Sequence, residues 1–234
     1  MDDRTRKASK ISAILQDFCD GKLSTFSCLD LGCGRGVISA YLARSFKVVI
    51  GIDLDLVAIR DAENQKPKKS ESPYYLFGSG YTLPFTDDMF DVVICAQVYE
   101  HMTDHQEMVN EIARVLRPGG FCFFSGPNRL AIMEEHYWLP FLSWLPHKIA
   151  SLYMKMMKRG NVYDIYPLTY WQLNRIWRNF KIIDYSLKLL REPHDFSVEE
   201  RVEKFNFIKL LPNWLLKSLC PYYPNYNWIV IKPL

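Results

Sequence analysis

Apolar runs alternate with amphipathic segments through the first half of the chain. Short runs rich in β-branched and aromatic residues predict strands at residues 26–31, 47–52, 74–77, 90–96 and 121–125. Helical periodicity between these runs predicts helices at residues 37–45, 54–64 and 105–116. Strands that are apolar throughout and separated by helices are typical of a parallel sheet covered on both faces.

The alternation fails after residue 128. Residues 129–168 are rich in Pro, Trp, Tyr and Met, and a helix (169–180) and a strand (181–190) then resume the pattern. A second irregular stretch (191–225) precedes a last apolar strand (226–231). We therefore expect one α/β domain over residues 1–234, with a core at 1–128 and insertions at 129–168 and 191–225. The insertions should pack over the carboxyl edge of the sheet, where open α/β sheets bind ligands.

Composition narrows the class of protein. Hydrophobic residues make up 49% and charged residues 24% of the 234 residues, which is typical of a folded globular chain. Uncharged stretches are too short for a bilayer span, and the opening MDDRTRKASK precedes no apolar signal core. The six cysteines form no CxxC pair, so neither a disulfide scaffold nor a zinc site is expected. These features favour a cytoplasmic protein.

Charge and aromatic residues are unevenly distributed. Residues 1–128 carry a net charge of −3 and residues 129–234 a net charge of +6, and all six tryptophans follow residue 137. The overall charge of +3 is small for a nucleic-acid-binding protein. Aromatic side chains beside Lys and Arg suit an amphiphilic ligand or a bilayer surface. Packing of the insertion on itself is an equally open interpretation.

A glycine-rich turn, LDLGCGRG at residues 29–36, lies between the first predicted strand and helix. A dinucleotide fingerprint would require a third glycine at position 37, which is valine, and no phosphate-binding Gly-Lys-Ser/Thr is present. The remaining pattern, D-x-G-x-G-x-G, places Asp30 just before the turn. A carboxylate there repels a pyrophosphate but suits a ligand with a positive amine.

Asp53 ends the second predicted strand, about twenty residues past the turn, where an acid typically accepts hydrogen bonds from ribose hydroxyls. Together, Asp30 and Asp53 indicate a ligand that has a ribose and an amino acid but no phosphate. S-adenosylmethionine fits this description, and S-adenosylhomocysteine would be its product.

The sequence resembles the class I S-adenosylmethionine-dependent methyltransferases of the broad type that includes ubiquinone-biosynthesis enzymes. The matching segments are LDLGCGRG (29–36), VVIGID (48–53), LPFTDDMFDVVICAQVYEHM (83–102) and RVLRPGGFCFFSGPN (114–128). The resemblance implies a Rossmann-like, doubly wound, mostly parallel sheet of seven strands with helices on both faces. It also implies a cofactor but no metal.

The resemblance assigns cofactor contacts residue by residue. Asp53 would hold the ribose and Leu54 would pack on the adenine. The methionine end would be held by Asp30 and by the backbone of the turn, at Gly32, Cys33, Gly34 and Gly36. The residues after the fourth predicted strand would line it: Cys95, Ala96 and Gln97. Ser79 stands where the family often has an acid that binds the adenine amine, and a serine accepts that hydrogen bond more weakly. Gly80 and Tyr81 would add backbone contacts.

Fewer residues of the sequence point to where the methyl acceptor would bind. His101 and His136 are the candidate catalytic bases, although a histidine that bonds only neighbouring backbone is as compatible with the sequence. Residues 129–168 should form a lid in which Tyr137, Trp138 and Tyr166 contact the acceptor. Lysines 66, 68 and 69 are interpreted as a solvated loop, and Cys28, Cys95 and Cys122 as core residues.

These observations predict a methyltransferase that acts on a small or amphiphilic acceptor, such as a lipid, quinone or glycan. A non-catalytic S-adenosylmethionine-binding module and an RNA or protein methyltransferase are the alternatives. Nucleic acid is not the expected partner, while contact with a membrane surface and the oligomeric state stay open.

Overall fold

The computed structural model describes residues 3–66, 72–198 and 211–234. Nine strands form two sheets. In chain order the strands are β1 (Ser27–Leu31), β2 (Val48–Asp53), β3 (Tyr74–Phe77), β4 (Phe90–Ala96), β5 (Leu116–Pro127), β6 (Met133–Glu134), β7 (Leu139–Pro140), β8 (Lys181–Asp184) and β9 (Asn225–Ile231). The main sheet has seven strands in the order β3-β2-β1-β4-β5-β9-β8, and β6 pairs only with β7.

Strands β1 to β5 run parallel, and β9 is antiparallel to both of its neighbours, β5 and β8. The expectation of a mostly parallel, seven-stranded, Rossmann-like sheet is therefore confirmed. Because the five parallel strands point the same way, their carboxyl ends meet at one edge. The segments that follow β1, β2, β3 and β4 are gathered at that edge.

Helices cover both faces of the sheet. Side chains of β4 alternate between two cores: Val93 and Cys95 face one, and Val92 and Ile94 face the other. The helices are α1 (Asp3–Phe18), α2 (Val37–Leu42), α3 (Leu56–Gln65), α4 (His105–Val115), α5 (His147–Met156), α6 (Tyr170–Ile176), α7 (Ser186–Arg191) and α8 (Asn213–Leu219). Helices α4 and α6 pack on the first face, and α1, α2 and α7 on the second.

Local sequence explains where several helices begin. The side chains of Asp55 and Asp104 accept hydrogen bonds from backbone N–H groups in the first turns of α3 and α4. Thr169 and Gln172 form a reciprocal capping box at α6. Each cap satisfies N–H groups that the first turn of a helix leaves without a partner.

Several predicted elements need correction, among them the helix predicted at 169–180, which ends at Ile176. The strand predicted at 181–190 ends at Asp184, whose carboxylate accepts the N–H of Ser186 at 2.8 Å and so favours the start of α7. The helix predicted at 37–45 ends at Leu42, because a tighter turn from Leu42 to Ser45 follows it. The strand predicted at 121–125 is longer, since β5 also continues through Gly126 and Pro127 beside β9.

Parts of two expectations lie outside the described residues: Lys68 and Lys69 of the lysine cluster, and residues 199–210 of the second insertion. Lys66 forms an ion pair with Glu63.

All six cysteines are free thiols. Within the described ranges, no helix combines the length and the apolar character needed to span a bilayer.

Candidate active site

The glycine-rich turn after β1 has a backbone that only glycine tolerates well. Gly32 and Gly36 have φ angles of 68° and 74°, in the left-handed region. A Cβ atom on Gly32 would lie 2.5 Å from Val98, and one on Gly36 would lie 2.2 Å from the Tyr75 hydroxyl oxygen. That hydroxyl donates a hydrogen bond to the Gly36 carbonyl at 3.0 Å. The turn is thus held close to β3 and to the loop after β4.

Asp53 links the end of β2 to this turn. Its Oδ2 accepts the backbone N–H of Gly34 at 2.7 Å, and its Oδ1 accepts the N–H of Asp55 at 2.8 Å. The residue remains partly exposed at the carboxyl edge. The carboxylate therefore fixes the turn and also faces the space in front of it.

Asp30 lies beneath the turn and is almost fully buried. Its carboxylate accepts the hydroxyl hydrogen of Ser39 in α2 at 2.5 Å. The pKa of Asp30 is raised to about 7, chiefly because the carboxyl group is buried and also because Asp53 is negatively charged, while the hydrogen bond from Ser39 acts in the opposite direction. Asp30 supports the turn from below and supplies negative potential to it.

Residues that follow β2 and β3 present apolar groups to solvent at the same edge. Leu54 is 61% and Phe77 57% exposed, although both are large hydrophobic residues. The Ser79 hydroxyl already accepts the N–H of Tyr81 at 3.1 Å. A Cβ on Gly80 would lie 3.1 Å from Leu31 and 3.2 Å from Met102, so this loop passes close to the end of β1.

The loop after β4 contains a strained residue. Gln97 has a φ angle of 60°, its N–H donates to the Ser125 carbonyl at 2.8 Å, and its side-chain amide donates to Asn225 at 3.1 Å. Cys95 is fully buried, and Ala96 is half-buried beside it. Cys33 packs under the glycine turn, where burial raises the pKa of its thiol, so Cys33 is not a reactive nucleophile.

Both predicted catalytic histidines lie in one cluster. Glu100 and His101 belong to the 3₁₀ turn Tyr99–His101 after β4, while His136 follows β6. One potential ligand atom from each of the three side chains lies within 4.8 Å of the others. The two imidazole rings meet edge to face with centroids 5.2 Å apart. The cluster expected to serve the acceptor is therefore assembled from two distant parts of the sequence.

Glu100 is the buried member of this cluster. It is fully buried, and neither carboxylate oxygen has a hydrogen-bond partner among the described residues. Burial raises its pKa to about 7. Its Oε1 lies 3.9 Å from Nε2 of His136, too far for a direct hydrogen bond. A buried carboxyl group with both oxygens open is a place for a ligand to bind.

Glu134 fixes the imidazole of His136 by a hydrogen bond. The sequence analysis did not predict a role for Glu134. Its Oε1 lies 2.8 Å from Nδ1 of His136, and its Oε2 accepts the N–H groups of His136 and Tyr137 at 2.9 and 2.7 Å. The hydrogen bond to Glu134 raises the pKa of His136, whereas burial lowers the pKa of His101. The spacing Glu134-x-His136 is the signal that would have revealed this pair.

Residues 129–168, here called the aromatic segment, pack beside the cluster. The N–H of Tyr166 donates to the Glu100 carbonyl at 2.7 Å, and the Arg129 N–H donates to the Leu168 carbonyl at 3.1 Å. Tyr166 also stacks on His147, with centroids 4.5 Å apart. Tyr137 donates to Asp164 at 2.5 Å, while Trp138 is 67% exposed and points to solvent. Tyr166 therefore borders the cluster, and Trp138 lies at the outer surface.

Helix α1 is a second element that the sequence analysis missed. Its apolar residues Ala8, Ile11, Ile14 and Leu15 have helical spacing and are buried. Its charged face lies over the site: Arg4 is the nearest group to a Cβ built on Gly34, at 3.9 Å, and Lys7 acts electrostatically on Glu100. The helix therefore lies near both the glycine turn and the cluster.

Comparison with known sequences gives matches to methyltransferases. The family described as "Methyltransferase domain" matches residues 29–124, which contain the glycine turn, Asp53 and the Glu100-His101 pair. The ubiquinone biosynthesis O-methyltransferase of Coxiella burnetii (strain RSA 493 / Nine Mile phase I) is 34% identical over 101 residues. The corresponding enzyme of Bartonella tribocorum is 29% identical over 179 residues, covering 69% of this chain and 71% of that one.

Residues 29–124 are thus similar to a methyltransferase domain, and the longer sequence match is to an O-methyltransferase. The match to the Coxiella protein covers 43% of each chain, so the chain spans less than half of that relative's length. The shared part contains the glycine turn and the strands around it.

Solved structures agree with the methyltransferase fold. A S-adenosylmethionine-dependent methyltransferase from Mesorhizobium loti has a TM-score of 0.60 at 15% identity, covering 94% of this chain and 98% of that one. The [4+2]-cyclase SpnF has a TM-score of 0.56 at 18% identity, covering 95% and 81%. The same fold is therefore shared by proteins named for different reactions, and the residues of the site must decide the chemistry.

Proposed function

We propose that this protein transfers a methyl group from S-adenosylmethionine to a small or amphiphilic acceptor. The observation that carries the proposal is the arrangement of one edge of the sheet. The glycine turn with Asp53 lies beside the cluster of Glu100, His101 and His136. A cofactor half and an acceptor half thus share one cleft.

The residues around the turn fit this cofactor. Backbone N–H groups of the turn and the buried Asp30 suit the amino-acid end, and Asp53 suits a ribose. The exposed side chain of Leu54 would pack on the adenine, beside Ser79, Gly80 and Tyr81. The methionine side would be lined by residues of the turn and of the end of β4: Gly32, Cys33, Gly34, Gly36, Cys95, Ala96 and Gln97. When bound, the cofactor would supply a methyl group on a positively charged sulfur.

The chain's own contribution would be alignment of the acceptor and exclusion of water. Helix α1 and the aromatic segment border the cleft from two sides, and Tyr166 is hydrogen-bonded to the turn that carries Glu100. In this proposal the aromatic segment is the lid of the acceptor pocket. Tyr137, Trp138 and Tyr166 contact the acceptor, and His101 and His136 are the two candidates for the base at its reacting atom.

An amphiphilic acceptor is supported by the surface of the aromatic segment. Helix α5 exposes Ile149, Leu152 and Met156, which have helical spacing, and Lys148 and Lys155 flank them. An apolar stripe beside cations suits an anionic bilayer surface. The relatives named as ubiquinone biosynthesis O-methyltransferases also favour an acceptor with an apolar tail.

Binding of the cofactor without methyl transfer is the second candidate, since one structural neighbour is named a cyclase. The two candidates differ in one product. The protein is incubated with S-adenosylmethionine and a total lipid extract, and S-adenosylhomocysteine is measured by mass spectrometry. Repeated turnover that depends on the extract and adds one methyl mass to a lipid is expected. Cofactor binding without S-adenosylhomocysteine formation with lipid, RNA or protein extracts would favour the second candidate.

A further inference from the structure

Two acidic residues surround His136 in different ways. Glu134 is nearly fully buried and is itself fixed by two backbone N–H groups, so its Oε1 has a defined position 2.8 Å from Nδ1 of His136. A carboxylate accepts but does not donate, and Nδ1 must therefore carry the hydrogen. In the neutral imidazole the lone pair is then on Nε2, on the opposite side of the ring.

Nε2 faces a gap of defined size. Glu100 Oε1 lies 3.9 Å from it, and both carboxyl oxygens of Glu100 are buried and unpartnered among the described residues. An acceptor oxygen could lie about 2.8 Å from both Nε2 and Oε1, a normal hydrogen-bond length, once the side chains move to admit it, because neither Glu100 oxygen is exposed in this structure. A Cβ at position 126 would collide with the Tyr99 ring and lie 3.2 Å from Glu100 Oε2, so glycine is the residue that fits beside this carboxyl group.

We propose that His136, held by Glu134, is the base that takes the proton from a hydroxyl acceptor bound between His136 and Glu100. The inference rests on the proposed function and adds the acceptor class, a hydroxyl, and one positioning residue, Glu134. His101 is not the base, because no hydrogen bond among the described residues fixes its ring and burial disfavours its charged form.

The methyl transfer would need only the acceptor hydroxyl, the sulfonium of the cofactor and the imidazole of His136. The acceptor oxygen forms a bond to the methyl carbon while the bond between that carbon and the sulfonium sulfur breaks, and the electron pair stays on sulfur. The hydroxyl proton moves to Nε2 of His136. The imidazolium is stabilised by Glu134 and later releases its proton to solvent. A buried carboxylate paired with an imidazole has this effect in other general-base sites.

A hydroxyl needs such a base more than an amine does, since a neutral amine already carries a reactive lone pair. The groups that face the base and set its titration come from several elements. They are Glu134 and Glu135 beside it, Glu100 and His101 after β4, and Lys7 of α1, which acts through Glu100.

The first test measures His136 directly, without an acceptor. In ¹⁵N-labelled wild-type protein, NMR should show the Nδ1-protonated tautomer of His136. Glu134→Gln keeps an acceptor for the two backbone N–H groups but removes the charge, and it should lower the pKa of His136 by at least 1 unit. Glu135→Gln is the matched control, since Glu135 accepts from Asn225 at 3.1 Å and acts on the imidazole through its charge alone, without the hydrogen bond that Glu134 makes. An Nε2-protonated tautomer, or equal effects of the two variants, would overturn the proposal.

The second test compares 2-naphthol and 2-naphthylamine, which differ only in a hydroxyl and an amine. Glu134→Gln should lower kcat for naphthol at least about 100-fold, with KM and cofactor affinity within about twofold, as expected for loss of general-base catalysis. It should also move the acidic limb of the pH profile to lower pH, because the pKa of His136 falls, and Glu135→Gln should do neither. Activity that EDTA abolishes and Mn²⁺ restores would assign the cluster to a metal and contradict the proposal. Calorimetry with S-adenosylmethionine tests the proposed function separately, since NMR of the cofactor-free protein reports on the pair alone.

Discussion

The carboxylate of Asp53 accepts the backbone N–H of Gly34, with 2.7 Å between Oδ2 and the nitrogen. This hydrogen bond joins the end of β2 to the turn after β1, and β1 and β2 are neighbouring strands in the sheet. The residue proposed to hold the ribose therefore also fixes the backbone proposed to hold the amino-acid end. One substitution should affect both contacts.

Asp53→Ala should weaken S-adenosylmethionine binding by about 1–3 kcal/mol, the usual contribution of hydrogen bonds to a charged acceptor. Isothermal titration calorimetry measures this change. Asp55→Ala is the matched control, because Asp55 caps α3 with its side chain. It should cost about 1 kcal/mol of stability and leave the affinity unchanged. Equal affinities of wild type and Asp53→Ala would exclude Asp53 from the ribose site.

Gly36→Ala should destabilise the protein more than Gly21→Ala does. Both glycines have φ near 75°, so both substitutions pay about 1–2 kcal/mol of backbone strain. Only the Cβ at Gly36 meets a neighbour, at 2.2 Å from the Tyr75 hydroxyl oxygen, and nothing lies within 4 Å at Gly21. Overpacking adds about 1–3 kcal/mol. Urea unfolding of both variants checks the difference, and equal losses would contradict the observed packing.

Asp30 should make the folded protein less stable as the pH rises. Its folded pKa of about 7 lies above the ordinary value of 3.8, so the folded state binds more protons between these values. The free energy of unfolding therefore falls as the pH rises through this window. Asp30→Asn keeps an acceptor for Ser39 and removes the ionisation. Relative to wild type, this variant should gain stability from pH 5 to pH 8, and a constant difference would contradict the raised pKa.

Trp138→Ala should impair turnover of the acceptor and leave cofactor affinity within about 0.5 kcal/mol, since Trp138 lies in the aromatic segment and far from the glycine turn. Because the side chain is 67% exposed, stability should change little. Trp214→Ala, at 71% exposure in α8, is the control. Steady-state kinetics with the lipid acceptor compares them. Normal turnover by Trp138→Ala would remove this residue from the acceptor site.

Helix α5 should bring the protein to anionic bilayers. Co-sedimentation with phosphatidylglycerol vesicles should exceed that with phosphatidylcholine vesicles and should fall with salt, because Lys148 and Lys155 flank the apolar stripe. Leu152→Asp should abolish the binding, whereas Leu219→Asp, at an exposed leucine on α8, should retain it. Equal sedimentation of the two variants would place the contact elsewhere.

The sequence predicted the sheet well because its strands are buried on both faces. Residues 92–96 are apolar without interruption, and the strand predicted at 90–96 coincides with β4. The turn at residues 29–36 was predicted from its glycines, since few other residues tolerate its backbone. These parts of the fold are set by local composition and burial.

The acceptor side depends on contacts that local patterns do not encode. Glu100 and His136 are 36 positions apart in the sequence, and only the return of the chain after β5 brings them to 3.9 Å. The strand predicted at 181–190 failed for a related reason. The spacing of its apolar residues is compatible with both a strand and a helix. The hydrogen bond from the Ser186 N–H to the Asp184 carboxylate favours a helix from Ser186 onward.

Calorimetric titration of the wild-type protein with S-adenosylmethionine, S-adenosylhomocysteine and NAD tests the central claim most directly. The account predicts binding of the first two with micromolar dissociation constants, on the order of −7 to −8 kcal/mol, and no comparable binding of NAD. Absence of S-adenosylmethionine binding, or equal affinity for NAD, would contradict it.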